Sequence, residues 1–188
     1  MKQIMLPAIR LTLVLTVLTG LIYPLVVTGL SQLLFPRQAN GSLIERNGKI
    51  VGSALIGQKF TRPEYFHGRP SAAGDGYDAA NSGATNFGPT NQNLVNRVRD
   101  DIKKFRQENP TYKGPIPADL LTTSASGLDP DISPASAYAQ ADRVAKARGV
   151  PAAAIRRIVE KHVEGRDLGF LGEPRVNVLA LNLDLDKQ

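Results

Sequence analysis

The sequence predicts an α/β protein: one N-terminal transmembrane helix followed by a small extracytoplasmic α/β domain with elements in the order β-α-β-α-α-β. Three observations predict it. No charged side chain occurs from Leu11 to Pro36. Behind that stretch, segments with helical apolar spacing alternate with short strand-like runs, the pattern of a layered α/β fold. Turn-rich stretches join them, the longest being YFHGRPSAAGDGYDAANSGATNFGPTN, residues 65–91. The expected boundaries are a cytoplasmic tail at 1–10, the transmembrane helix at 11–35, a linker at 36–45 and an extracytoplasmic α/β domain at 46–188.

The span comes first. At about 1.5 Å per residue, residues 11–35 reach roughly 37 Å, enough to cross a hydrocarbon core of about 30 Å with some tilt. A cleaved signal peptide has a shorter apolar region, about 7–15 residues, followed by a small-x-small site. This stretch ends in Leu33-Leu34-Phe35-Pro36-Arg37, which suits no such site, so an uncleaved anchor is expected. Flanking charge is nearly balanced, with Lys2 and Arg10 before the span and Arg37, Arg46 and Lys49 after it. Orientation therefore rests on the ordinary signal-anchor layout, short tail inside and bulk of the chain translocated. Thr12, Thr16, Thr19 and Tyr23 form one helical stripe with Gly20 beside it, a candidate contact for a membrane partner. The plainer possibility is that the threonines bond back to their own helix. Pro24 removes a backbone donor mid-span and predicts a kink.

In the domain, Asn47-Gly48 signals a turn and KIVGSALI (Lys49 to Ile56) reads as a strand. After the long loop, Leu94, Val98, Ile102 and Phe105 keep helical spacing, predicting a helix over about 91–107, started by Thr90 or Asn91, that stops before Pro110. Leu120 to Ser124 reads as a short strand, followed by the turn-rich SASGLDPDISP. Ser133 and Pro134 are an N-cap and a first-turn proline, with Gly149 as the C-cap of the helix they open. Pro151 opens a further helix with Ile155, Ile158, Val159, His162 and Val163 on one face, closed by Gly165. In VNVLALNLDL, alternation places Leu179, Leu181, Leu183 and Leu185 on one side of a final strand.

The chain has no cysteine, which excludes disulfides, thiolate metal sites and cysteine nucleophiles. Its formal charge is +6, but of 23 basic residues Lys2, Arg10 and Arg37 lie in the tail or beside the span. The remaining 20 face 17 acids, a balance of +3. There is no Walker lysine loop, HExxH or GxSxG elbow. Asp75 and Asp78 resemble the start of a calcium loop, yet Asn86 stands where the bidentate Glu is needed. His67 and His162 are far apart in sequence. No catalytic, metal or cofactor site is therefore assigned to this chain. Ala141 to His162 has the rhythm of a helix-turn-helix bearing Arg156 and Arg157, but a translocated domain does not meet DNA, and no nucleic-acid partner is expected.

Several blocks in series resemble the KdpC family: QANGSLI (38–44), GSALIGQ (52–58), YFHGRPSA (65–72), SASGLD (124–129), RVAKAR (143–148) and VNVLALNLDLDK (176–187). The similarity covers essentially the whole chain, with departures at SGATN (82–86) and TTSASG (122–127), where SGGSN and VTASASG are usual in the family. The resemblance implies the C subunit of the Kdp potassium-transporting P-type ATPase of bacteria and archaea, anchored in the inner membrane by one helix with its C-terminal domain, residues 46–188, on the periplasmic side. Its partners would be the ATP-hydrolysing subunit, a channel-like potassium-translocating subunit and a small single-span subunit. The complex would use ATP, magnesium and potassium. The family is described as a catalytic chaperone that raises the nucleotide affinity of the hydrolysing subunit. From outside the membrane, such an effect requires conformational coupling through the span. Residues 65–91 would then form an ordered docking surface over the extracellular mouth of the potassium-translocating subunit, with Tyr65, His67, Arg69, Asp75, Asp78 and Asn86 as candidate contacts. The alternatives are a loop that only packs on its own domain, and a membrane-anchored extracytoplasmic binding or sensor module.

Overall fold

The structure is a computed structural model that describes residues 2–187. Met1 and Gln188, the outer ends of the expected tail and domain, lie outside the described residues, as do the side chains of Lys2 and Gln3. The chain divides into two compact units, residues 1–51 and 52–188.

The first unit is dominated by helix. α1 (Lys2–Val17) runs through a π turn, Leu18–Ile22, into α2 (Tyr23–Leu34). The apolar stretch Ile4–Leu34 contains 18 consecutive residues with a mean hydropathy of 2.1 and is long enough to cross a membrane. The π turn has an identifiable cause. Pro24 has no N–H to donate to the carbonyl four residues back, and its ring crowds that carbonyl. The chain widens before it, and Tyr23 N–H bonds the Leu18 carbonyl, an i to i+5 closure. A short helical turn, α3 (Pro36–Ala39), follows, and then β1 (Leu43–Arg46) pairs with β2 (Lys49–Ser53). Asn47 and Gly48 have φ of 53° and 74°, the doubly left-handed geometry that suits a two-residue hairpin turn. The strand expected over 49–56 thus ends at Ser53, and the segment read as linker contributes its partner.

The second unit is a mixed helix and strand domain. α4 (Gln92–Glu108) is capped by Asn91, whose side chain accepts the Asn93 N–H, one residue from the expected start. α5 (Pro134–Arg148) has Ser133 as N-cap and left-handed Gly149 (φ 68°) as C-cap, as the sequence predicts. α6 (Ala152–Lys161) ends four residues before Gly165, and His162 and Val163 fall beyond it. Its Ile155, Ile158 and Val159 are buried, while Arg156 pairs with Asp142 at 2.9 Å and Arg157 is exposed.

Two strands are corrected. Leu120–Ser124 is not a strand; a 3-10 turn occupies Ala118–Leu120, and the strand in this region is β3 (Asp131–Ile132), inside the stretch read as loop. The C-terminal run is a strand only over β5 (Arg175–Asn177) and then becomes α7 (Val178–Leu185). Asn177 causes the switch, its side chain accepting the Ala180 N–H at 3.0 Å as an N-cap. β5 is the centre of a three-stranded antiparallel sheet between β3 and β4 (Val163–Glu164), with Ile132 and Val163 both opposite Val176. The core gathers Ile132, Val144, Ile155, Val159, Val176, Leu181 and Leu185 around Phe66, which is fully buried.

Candidate functional site: a loop pinned by side chains

Between Ala54 and Asn91 the chain forms turns and bends but no helix or strand. Buried backbone without a ladder needs other hydrogen-bond partners, and α5 and α7 supply them. Asn182 of α7 accepts the Phe66 N–H at 2.8 Å and donates to the Phe66 carbonyl at 3.0 Å. Gln140 of α5 does the same for His67, at 2.9 and 3.0 Å. Each side-chain amide stands in for the strand that would otherwise pair with this residue. Arg143 donates to the carbonyls of Pro63 (2.6 Å) and Tyr65 (3.0 Å), and also to Asn109 Oδ1 and Gln140 Oε1. Arg148 takes the Glu64 carbonyl at 2.8 Å, and its guanidinium lies 5.2 Å from the centroid of the Tyr65 ring. Carbonyls 63 to 67 are therefore all held from two helices.

Burial lowers the Arg143 guanidinium to about 10, with the nearby Glu108 charge opposing the shift. It remains charged at neutral pH, and these four acceptors are all uncharged. Such an arrangement is costly unless every N–H finds an oxygen.

The next part of the loop packs on residues 122–129. Arg69 bridges to Asp129 at 2.8 Å and approaches the Thr122 and Thr123 carbonyls. Ser71 Oγ donates to the Gly127 carbonyl and accepts the Tyr77 N–H. Tyr77 Oη donates to the Arg69 carbonyl at 2.7 Å, and desolvation, followed by the Asp129 charge, raises its phenol to about 12. Gly83 N–H and Ser82 Oγ both bond the Ser126 carbonyl. A cleft of about 270 Å³ opens between this loop and α4. It mixes Lys59, Arg69 and Lys104 with Asp75, Asp101 and Glu108. That is small beside ligand pockets of about 300–1,000 Å³. His67 faces Glu108 across it at 3.5 Å, and its Nε2 lies 3.1 Å from the Arg62 carbonyl. Both ring nitrogens are thus engaged. Among the described residues no group of three or more His, Cys, Asp or Glu is placed to hold a metal ion.

Comparison with known proteins now bears on this arrangement. A family model described as KdpC: K+-transporting ATPase, c chain, matches residues 5–187. The chain belongs to the KdpC family. It is 56% identical over 186 residues to the Potassium-transporting ATPase KdpC subunit of Koribacter versatilis, covering 99% of this chain and 95% of that protein. The protein of the same name from Gemmatimonas aurantiaca is 59% identical over 187 residues, covering 99% and 94%. That from Bradyrhizobium diazoefficiens is 56% identical over 193 residues, covering 96% and 95%.

In this KdpC-family domain the six candidate loop residues divide by role. Tyr65, His67 and Arg69 are half-buried and bind the loop to its own domain; Tyr65 Oη, for example, donates to Asp186 at 3.0 Å. Asp78 caps its own turn through Ala80 N–H and Asn81 Nδ2, and the Asn81 bond first, then the Ala80 bond, hold its carboxyl below the usual range. Asp75 and Asn86 are exposed, Asn86 with a left-handed φ of 51°. In the span, Thr19 Oγ1 donates to the Leu15 carbonyl at 2.7 Å, a bond within its own helix. The π turn contains Thr19 and Gly20 and precedes Tyr23, so its wider winding rotates Tyr23 off the straight-helix line of Thr12 and Thr16. The pinning residues Gln140, Arg143 and Asn182 went unread in the sequence. Their signal was there, as two polar residues three apart on an alanine-rich helix and one Asn among leucines.

Glu108 gives this site a pH dependence. Its bond from His67, as the first cause, holds its carboxyl below the ordinary 4.5. A lowered folded-state value contributes stability that is present above 4.5 and is lost as pH falls through the lowered value. Glu108→Gln is expected to flatten the fall in melting temperature on acidification below pH 4.5. An unchanged acid limb would show that this pair does not hold the loop to α4.

Proposed function

We propose that the chain is a non-catalytic accessory subunit of an ATP-driven potassium uptake pump. The observation that carries the reading is the family match over 5–187. The apolar helix anchors the chain in the membrane, with its tail in the cytoplasm and its domain on the outer side. Within the complex, ATP, magnesium and potassium are handled by the hydrolysing and channel-like subunits. This chain stabilises the assembly and biases it towards a state of higher nucleotide affinity. Because the domain and the nucleotide are on opposite faces, that bias travels through the span as a difference in affinity for two pump states.

The loop 65–91 is the docking surface over the mouth of the potassium-translocating subunit. What supports this is a surface already ordered by its own domain, which loses little entropy on binding. The cleft beside α4 favours one second reading, an anchored module that binds a small polar ligand.

The test uses cells that depend on this pump for growth in limiting potassium and lack the chain. Full-length protein is expected to restore growth and to carry the ATP-hydrolysing and potassium-translocating subunits through mild-detergent purification. Growth without the chain, or purification free of any ATPase subunit, would overturn the reading, and the latter would favour the binding module.

A further inference from the structure

We propose that the turn Arg166–Glu173, on the far side of the sheet's edge strand β4 in sequence, is an apolar plug that seats in a groove on another subunit of the ATPase. The inference rests on the accessory-subunit reading and names a contact surface for it. Leu168, Phe170 and Leu171 are 83%, 69% and 49% exposed, in a domain whose other large apolar side chains mostly pack inward. The turn is built to present them. Asp167 and Leu171 exchange both backbone hydrogen bonds at 2.9 Å, and Gly169 N–H bonds the Arg166 carbonyl at 3.1 Å. Leu168 sits at φ 53°, a left-handed conformation that a leucine adopts at a cost, followed by left-handed Gly169. Ion pairs brace the base: Arg166 to Glu173 at 2.7 Å, and Arg175 to Glu164 at 3.0 Å and Asp167 at 3.5 Å. A backbone strained and braced to hold three apolar side chains in water is pre-organised for a partner.

Three observations select the occupant. A lipid surface would favour Lys or Arg around the apolar tip and Trp or Tyr at its edge. Between Val163 and Arg175 there are three acids, two arginines and no Lys, Trp or Tyr. The two arginines are, moreover, already paired to acids. A second copy of the chain would set one net-acidic tip against another. The tip offers on the order of a few hundred Å², against about 800 Å² per partner in a stable interface. So small a contact holds only where a second attachment supplies high effective concentration, and a chain anchored beside its partner by the apolar helix has that attachment. The geometry points to a protein groove with an apolar floor and a rim that meets a collar of net charge −1, in which Glu164, Asp167 and Glu173 outnumber the arginines Arg166 and Arg175 that they pair with.

The experiment places the photo-crosslinker p-benzoylphenylalanine at Phe170 of the full chain, made together with the other ATPase subunits, with the same group at exposed Arg157 as control. Irradiated membranes are expected to give a cross-link from position 170 to another ATPase subunit and none from 157. In parallel, Phe170→Asp is expected to lower the ATPase subunit retained on detergent purification about tenfold, as loss of one anchor side chain does. The melting temperature of the chain itself should not change. A chain that co-purifies with the ATPase yet cross-links at 170 only to lipid, to a second copy of itself or to nothing overturns the plug alone. A chain that co-purifies with no ATPase subunit overturns the accessory reading and the plug with it.

Discussion

Arg143→Met is expected to destabilise the domain by about 3 kcal/mol, the net of several orphaned buried acceptors against the recovered cost of burying a charge. The variant leaves the Pro63 and Tyr65 carbonyls and the Asn109 and Gln140 side-chain oxygens without this donor. In a chain of this size that corresponds to a fall of about 6–12 °C in melting temperature. The loop should also be cut faster by protease between residues 63 and 91, because the carbonyls of Pro63 and Tyr65 lose their donor. Arg143→Lys keeps the charge but replaces a planar fork of five donors by a compact ammonium, so it should recover only part of the loss. If methionine left melting and proteolysis unchanged, the guanidinium would not be what organises the loop.

Gly127→Val carries the second large effect, and comparison with Gly149 isolates its cause. Both glycines have φ of 68°. At Gly149 an added Cβ meets nothing within 4 Å, whereas at Gly127 it would lie 2.6 Å from Ala73 N and 2.7 Å from the Gly83 carbonyl oxygen. Gly149→Val, the same substitution, should therefore cost only the strain of a side chain at left-handed φ, about 2 kcal/mol. Gly127→Val adds a backbone collision that separates residues 71–83 from 124–128, for about 3 kcal/mol or more. It should also weaken co-purification with the ATPase if this face docks. Equal losses at the two positions would mean that close packing of the two loop segments contributes nothing.

Where the sequence was legible, a single local rule decided the outcome. The cap at Asn91, the Ser133-Pro134 start and the Gly149 stop each satisfy backbone groups within a few residues, so tertiary context had little to change. The C-terminal run was illegible because it supports two periods at once. Leu179, Leu181, Leu183 and Leu185 alternate as in a strand, while Val178, Leu181, Asn182 and Leu185 fall on one face of a helix. The capping bond from Ala180 N–H to Asn177, and the need for Asn182 to face Phe66, decide for the helix. β3 is two residues long and exists only because β5 lies beside it, a pairing that no local pattern announces. The loop was visible as a long irregular stretch, but its support was not. Gln140, Arg143 and Asn182 are 73 or more positions from the residues between Pro63 and His67 that they hold. Long-range side-chain to backbone bonding leaves no periodic trace. The resemblance reached the family by a different route, through motif order along the whole chain.

The absence of cysteine allows the central claim, an anchored domain outside the cytosol held against its pump by the loop, to be read at one engineered thiol. Ala80 is exposed in the loop and engages Asp78 through its backbone N–H, so Ala80→Cys leaves that bond in place. The measurement is the rate at which a membrane-impermeant maleimide, added from outside, modifies this cysteine in the full chain made alone and made with the other ATPase subunits. Rapid modification of the chain alone and a tenfold or greater slowing in the assembled complex is the predicted result. No modification from outside, or equal rates in the two cases, would contradict it.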